Sequence, residues 1–378
     1  MPRVEPNDVV QQPKPAARKP SRRLATLVDV AREAGVTRWI AGAVLNGGEG
    51  NSRCGPDTAE RIRAAAASLG YRVNPVARQL TGKRSRSYGV LVASAGDPLV
   101  AFLVQELEVE LARVGCQTLT GNTFEGWERV DLGFTARLDE FQSRGVDGVF
   151  CLVHRWWPGD RAMLLERFPT TVFYEDPEID GARFVAPDRR ACGRLAVEHL
   201  AATGRRRIGL ALMTLSRPTH RARLTGHVEA LVAAGLEAAA PPDFDASRFG
   251  PAFPLHSPAT LRWEYPTAIV DHCIEALVHD GRADAIVAHD DFFAAVLRKR
   301  LRAGGIRVPD DVAVVGSLNH YLADWVDPAL TTIDLAQAAA AKVMVEMAEG
   351  LIEGREDASA VGPQHMLIQP RLVVRESA

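Results

Sequence analysis

The sequence is short of cysteine and of long apolar runs. Cys54, Cys116, Cys151, Cys192 and Cys273 are scattered over 378 residues, with no close pair and no Cys/His cluster. That argues against a disulfide framework and against a structural zinc module. No run of about 18 apolar residues exists, so no helix is expected to span a bilayer. The N-terminus carries charge and proline but no apolar signal-peptide core. Phosphate-cradling fingerprints are missing too. Ala93-Ser94-Ala95-Gly96-Asp97-Pro98 lacks the G-x-G-x-x-G spacing, and there is no G-K-[ST] loop and no G-x-S-x-G elbow. The ten histidines and the many carboxylates fall in no spacing that singles out a catalytic set. A cytoplasmic protein that is not an enzyme and uses no metal or cofactor is therefore expected.

What is present is an uneven charge distribution. Residues 1–86 carry 16 Lys and Arg against 7 Asp and Glu, a net of +9, whereas the remainder carries 29 against 40, a net of −11. A basic segment on an acidic body suggests a polyanion-binding module joined to something else, the alternative being a solvated basic tail. Residues 1–23 are rich in Pro, Arg and Lys with few apolar anchors, and read as a disordered basic arm.

The stretch from Thr26 to Asn46 is the most informative. Thr26 with Asp29 forms a capping-box-like helix start, and Leu27, Val30, Ala31 and Ala34 then share one face. Gly35 supplies the left-handed residue that ends the helix. Thr37 can cap a second helix whose Ile40, Ala41, Val44 and Leu45 point inward, leaving Arg38, Trp39, Gly42 and Ala43 outside. Two short helices around a glycine turn are the helix-turn-helix pattern, although a plain helical hairpin would read the same way. Pro56-Asp57-Thr58 opens a third helix with Ile62, Ala65, Ala66 and Leu69 buried and Gly70 as its stop. Asn74-Pro75 is a strong start for a helix of about two turns, too short to be stable in water without a partner.

From Ser87 the pattern changes. Apolar strands at Tyr88–Ala93, Gln117–Thr120, Val146–Val153, Thr171–Tyr174, Arg207–Met213, Ala285–Ala288 and Val312–Gly316 alternate with helices. The helices begin near Asp97, Asp131, Arg189, Arg221 and Phe292. Such alternation implies parallel sheets covered on both faces. The length implies two similar lobes, with strand carboxyl ends facing a shared cleft.

The chain resembles the lactose/galactose-repressor family of bacterial transcription regulators from Leu24 to Ser377. The head carries Asp29-Val30-Ala31, Ala34-Gly35-Val36-Thr37, Val44-Leu45-Asn46, Leu69-Gly70-Tyr71, Asn74-Pro75, Ala77-Arg78 and Leu80. The body carries Gly193–Leu200, Arg223-Leu224-x-Gly226, Pro309–Gly316, Pro328-x-Leu330-Thr331-Thr332-Ile333 and Leu372–Ser377. Each is weak alone; in this order they are specific. The resemblance implies an α plus α/β chain in four parts: the arm 1–23, a three-helix helix-turn-helix head at 24–71, a hinge helix and linker at 72–86, and a two-lobed periplasmic-binding-protein-like body with parallel sheets at 87–378. It further implies a homodimer on palindromic operator DNA, most simply a repressor, with a small-molecule effector such as a sugar between the lobes. The rival of the same body fold is a solute-binding protein without a DNA function. No leucine heptad follows Glu376-Ser377-Ala378, so a dimer rather than a tetramer is expected.

Site residues follow from the same resemblance. Thr37, Asn46, Arg78 and Lys83 would contact the DNA backbone, which gives affinity rather than sequence choice. Asn74, Ala77 and Arg78 belong to the hinge helix, and Leu80 would wedge into a minor-groove step. The reading face departs from the family pattern: Arg38-Trp39 and Gly42-Ala43 stand where small or hydroxyl residues and Ser-Arg are usual. Arg38 becomes the expected base reader, Ala43 can offer only apolar contact, and Trp39 touches DNA or fills a protein gap. In the cleft, Arg223 would bind effector hydroxyls or carboxylates through its planar fork. Leu99, His289, Asn319 and Trp325 are the other candidates. Leu318 replaces the usual aspartate, and Asp290 is either a helix cap or a ligand contact. The segment 249–266 reads as a family-atypical insertion, a lid or a surface loop.

Overall fold

The computed structural model describes residues 25–45, 54–72, 84–93, 97–123, 133–153, 159–212, 217–237, 267–354 and 364–378. The chain divides into two compact units, Met1–Ser85 and Arg86–Ala378. The arm, the hinge segment from 73 to 83 and the 249–266 segment lie outside the described residues.

In the first unit, helices α1 (Leu27–Glu33), α2 (Arg38–Leu45) and α3 (Pro56–Ser68) pack around Val30, Ala31, Ala34, Ala41, Val44, Ile62, Ala65 and Ala66. The capping box forms as the sequence predicts: the Asp29 backbone N–H donates to Thr26 Oγ1, and the Thr26 N–H donates to Asp29 Oδ2 at 2.9 Å. Gly35 sits at φ +63°, in the left-handed region. Arg61 Nε reaches from α3 to the Ala34 carbonyl at 3.0 Å and fixes the turn between the first two helices.

The second unit is built on two sheets. The first contains β1 (Ser87–Val92), β2 (Gln117–Asn122), β3 (Gly148–Leu152), β4 (Val172–Tyr174), β5 (Arg183–Pro187) and β10 (His365–Ile368), in the order β10-β5-β4-β3-β1-β2. Its pairings are parallel. Alternate residues of one strand serve opposite cores, as a pleat requires. Tyr88, Val90 and Val92 pack with α4 (Pro98–Arg113) and α12 (Gln337–Ile352), while Leu91 packs with α5 (Phe134–Ser143) and α6 (Asp160–Arg167).

The second sheet holds β6 (Ile208–Leu210), β7 (Ala285–Val287), β8 (Ala313–Ser317), β9 (Thr331–Asp334) and β11 (Arg371–Val373), in the order β11-β9-β8-β7-β6. β11 is antiparallel to β9, with Arg371 opposite Asp334. One face packs on α7 (Arg189–Ala202) and α8 (Pro218–Ala233). The other packs on α9 (Thr267–Ile274), which continues as a π-helical turn through Asp280, and on α10 (Asp291–Ala303). The short α11 (Leu322–Trp325) precedes β9. The chain passes from lobe to lobe between β5 and α7, between β9 and α12, and between β10 and β11. At these crossings Asp188 N–H donates to the Ile368 carbonyl at 2.8 Å and Arg371 reaches Asp334 at 2.8 Å.

The alternation read from the sequence is present, with ends moved by at most three residues. The pattern did not mark β5, α6, α9, α11, β9, α12, β10 and β11. β5 ends in Pro187, β10 and β11 are three- or four-residue strands with half-exposed pleats, and α12 starts without a side-chain cap, from Ala336 at φ +53°.

Candidate functional site

The start of α2 is exposed on the head. Thr37 Oγ1 accepts from the Ile40 N–H at 3.3 Å, which places the first turn of α2 at the surface. Thr37, Arg38 and Trp39 are exposed there, Trp39 by 68%, so the indole fills no gap among the described residues. Ala43 is half-buried on the same helix. Gly42 departs from the expected outer face: a Cβ at this position would meet Leu27 of α1 at 3.3 Å. The space beside Gly42 is thus taken by the Leu27 side chain, which a hydrophobic-periodicity reading of α2 alone does not reveal. Asn46, Asn74, Ala77, Arg78, Leu80 and Lys83 lie outside the described residues.

In the body, a cleft of about 110 Å³ opens at the carboxyl ends of the strands. The first lobe supplies Asp97, Pro98, Leu99 and Glu175, and the second supplies Arg217, Arg223, His289 and Asp290. The loop after β8 brings Ser317 and Leu318 to the wall. Two helix starts aim at it. Asp97 caps α4, its Oδ1 accepting from the Leu99 N–H at 2.9 Å, and Asp290 caps α10, accepting from the Phe293 N–H at 2.7 Å. Asp97 is half-buried in the cleft wall, and its carboxyl is pushed up to about 6, first by desolvation, against the backbone donors of Val100 and Leu99, with Asp290 across the cleft adding to the rise. Asp290 is therefore both cap and cleft residue.

Arg223 is buried, and its fork holds the wall together. Nη1 donates to the His289 carbonyl at 2.7 Å and Nη2 to the Ala288 carbonyl at 2.8 Å, beyond the end of β7. Arg189 instead pairs with Glu175, both nearly enclosed. His289 meets His220 edge-on at 5.0 Å. Burial, and then the positive charges of His220, Arg223, Arg217 and Arg189, hold its imidazole neutral well below the ordinary histidine range.

Of the residues expected in the cleft, Leu99, Arg223 and His289 line it together. Asn319 does not. Its Nδ2 donates to Asp334 at 3.3 Å and its Oδ1 accepts from Arg375 at 2.9 Å, so both ends of the amide serve the contact between the β8 loop and the C-terminal segment. Trp325 does not either; it is 74% exposed and lies against Tyr321 with ring centroids 4.5 Å apart. Its place on the one-turn α11 carries it away from the strand ends. The sequence reading missed Asp97, Glu175, Arg189, Arg217, Thr219, His220 and Ser317 as wall residues. Asp97-Pro98 and Arg217-Pro218 were the available signals, since proline at a first helical position marks a helix start, and helix starts are what surround this cleft.

Among the described residues no helix is long and apolar enough to cross a membrane, and no group of three or more His, Cys, Asp or Glu could hold a metal ion. The profile of the periplasmic binding protein-like domain matches residues 197–378. The chain is 30% identical over 365 residues to the HTH-type transcriptional regulator CelR of Thermobifida fusca, covering 94% of this chain and 99% of that protein. It is 26% identical over 358 residues to the ribose operon repressor of Escherichia coli K12, covering 94% and 100%. Among solved structures, a CelR–cellobiose complex superposes with a TM-score of 0.62 at 25% identity, over 94% of this chain and 100% of that one. The lac repressor dimer bound to operator and the anti-inducer ONPF shares the fold with a TM-score of 0.71 at 23% identity, over 93% and 98%. With the capped helix-turn-helix head and the two-lobed body both present, the chain belongs to the lactose/galactose-repressor family of bacterial transcription regulators.

Proposed function

We propose that this DNA-binding regulator is a repressor whose grip on a palindromic operator is set by a small molecule held between the lobes of the body. The observation that carries this reading is that the cleft takes its walls from both lobes, Leu99 and Glu175 from one and Arg223 and His289 from the other. A ligand there binds one lobe arrangement better than another, and that difference is all a coupled response requires. The working form is a homodimer, each protomer carrying a head at 24–71 and a hinge segment at 72–86 on the body at 87–378. Arg38 reads a base edge, Trp39 and Ala43 make apolar contact, and Thr37, Asn46 and Arg78 hold the backbone. Asn74, Ala77 and Leu80 belong to the hinge contact with the minor groove. The chain binds and releases rather than catalyses: its relatives are regulators, and the cleft polar groups serve as helix caps, an ion pair and carbonyl anchors rather than as an acid, a base and a nucleophile.

The test is a gel shift of the purified full chain on palindromes from the upstream regions of its own and neighbouring genes, with and without candidate ligands. Salt-sensitive preference for one palindrome, shifted by a ligand that raises the melting midpoint, is the expected result. Equal binding to a palindrome and its scrambled version would refute it.

A further inference from the structure

Among the described residues the cleft contains three guanidinium groups, and they are not equivalent. Arg189 is committed to Glu175, and Arg223 to the carbonyls of Ala288 and His289. Arg217, half-buried at the start of α8, lines the cleft; its carbonyl accepts from the His220 and Arg221 N–H groups, but its guanidinium makes no hydrogen bond or ion pair among the described residues. Its charge acts on Asp97 across the cleft without a direct contact. Asp97 and Asp290 each cap a helix, where the partial positive charge of the helix start stabilises them. Two more polar atoms of the wall, Ser317 Oγ and Arg223 Nε, are buried and have no hydrogen-bond partner among the described residues. Buried polar atoms of that kind are rare unless something else satisfies them. Leu318 and Leu335 close the cleft with apolar surface.

We propose that the molecule this cleft takes is a small polyhydroxylated monocarboxylic acid, its carboxylate on the fork of Arg217 and its hydroxyls on Asp97, Asp290 and Ser317. This rests on the reading of the cleft as the effector site. The planar guanidinium offers two parallel N–H donors that match the two oxygens of a carboxylate. A phosphate dianion fits less well, because its second charge would lie against the carboxylates of Asp97 and Asp290. The size agrees: where one water needs about 10–15 Å³, the cleft has room for on the order of ten waters, the bulk of a single sugar unit.

Calorimetric titration of the full chain with gluconate and galacturonate, against glucose and galactose, tests the proposal. The acids should bind and the neutral sugars should bind at least tenfold more weakly. Arg217→Gln should lower acid affinity at least tenfold and leave the melting midpoint of the free protein near wild type, since the Arg217 guanidinium makes no hydrogen bond or ion pair with another described residue and the backbone bonds of Arg217 are kept. Arg217→Lys, which keeps the charge and loses the fork, should fall between. Unchanged acid affinity in Arg217→Gln, or no acid binding by the wild type, overturns the proposal. A neutral sugar that binds more tightly and alters operator affinity also overturns it while leaving the effector cleft in place. Failure of all four probes to bind, with the operator response also missing for every other ligand tried, would count against the cleft reading itself.

Discussion

Thr332 Oγ1 donates to Asp291 Oδ1 at 2.5 Å, deep inside the second lobe, and ties β9 to the first residue of α10 beneath the loop that walls the cleft. The His320 N–H donates to the other oxygen at 2.8 Å. Asp291 is fully buried, and its carboxyl is pushed up from 3.8 to about 7, burial outweighing the two donors. The folded state therefore keeps a proton that the unfolded chain has already released between about pH 4 and 7. Asp291 supports stability fully at the acid end of that window, and its contribution is lost as pH rises to 7. Asn can donate to Thr332 Oγ1 and accept from His320, so Asp291→Asn should be more stable than wild type at pH 8 by about 2–4 kcal/mol, with a difference at pH 5 less than half as large. Denaturant melts at the two pH values check this; an equal difference at both would show that Asp291 does not titrate in this range.

Gly193 and Gly226 let α7 and α8 touch backbone to backbone. A Cβ at 226 would sit 1.9 Å from the Arg190 carbonyl oxygen, and one at 193 would sit 2.2 Å from that of Arg223. Both obstacles are main chain and cannot rotate away. Gly226→Ala should destabilise the body by about 3 kcal/mol or more. By contrast Gly350→Ala, where a Cβ meets nothing within 4 Å, should gain a few tenths to about 1 kcal/mol. A thermal melt of the pair against wild type reads both signs.

The contrast between these glycines shows what was legible in the sequence. The strand–helix alternation was, because a parallel sheet needs unbroken apolar runs such as Val90-Leu91-Val92 and Val312–Val315, and helices leave caps such as Thr26, Asp97 and Asp290. The neighbour of Gly42 was not, since it is the Leu27 side chain, on another helix. Asn319 and Trp325 show the same limit: their chemistry suits a ligand, but Asp334 and Arg375 occupy the first, and the one-turn helix α11 leaves the second in solvent. Arg223 was legible because a motif fixed its position, whereas Arg217-Pro218 marks only a helix start, and the guanidinium of Arg217 is notable only once its neighbours are known to be engaged.

Arg223→Lys would keep the charge but could not reach both the Ala288 and His289 carbonyls through one planar group. A carbonyl left without its donor inside the wall costs about 1–3 kcal/mol. The variant should therefore melt earlier and also lose ligand response, while operator affinity without ligand stays near wild type. Parallel melting and gel-shift measurements separate these effects; wild-type ligand response in a destabilised variant would assign Arg223 to the wall alone.

On the head, two variants separate reading from holding. Trp39 is 68% exposed and adds nothing to the cluster around Val30, Ala41 and Ile62, so Trp39→Ala should leave the melting midpoint unchanged. If its indole lies against DNA, operator affinity should still fall, by about 1 kcal/mol or more. Arg38→Ala removes the exposed guanidinium at the start of α2, next to the cap made by Thr37. A lost base contact discriminates between operators by about 1–3 kcal/mol, whereas a lost phosphate contact weakens all DNA alike and lowers the salt slope by about one. Arg38→Ala should therefore narrow the gap between a specific palindrome and its scrambled version. Arg78→Ala should weaken both equally. Titrations of the two variants on both duplexes at two salt concentrations decide the assignment: equal losses on both duplexes for Arg38→Ala would make it a backbone contact and leave base reading to Trp39 and Ala43.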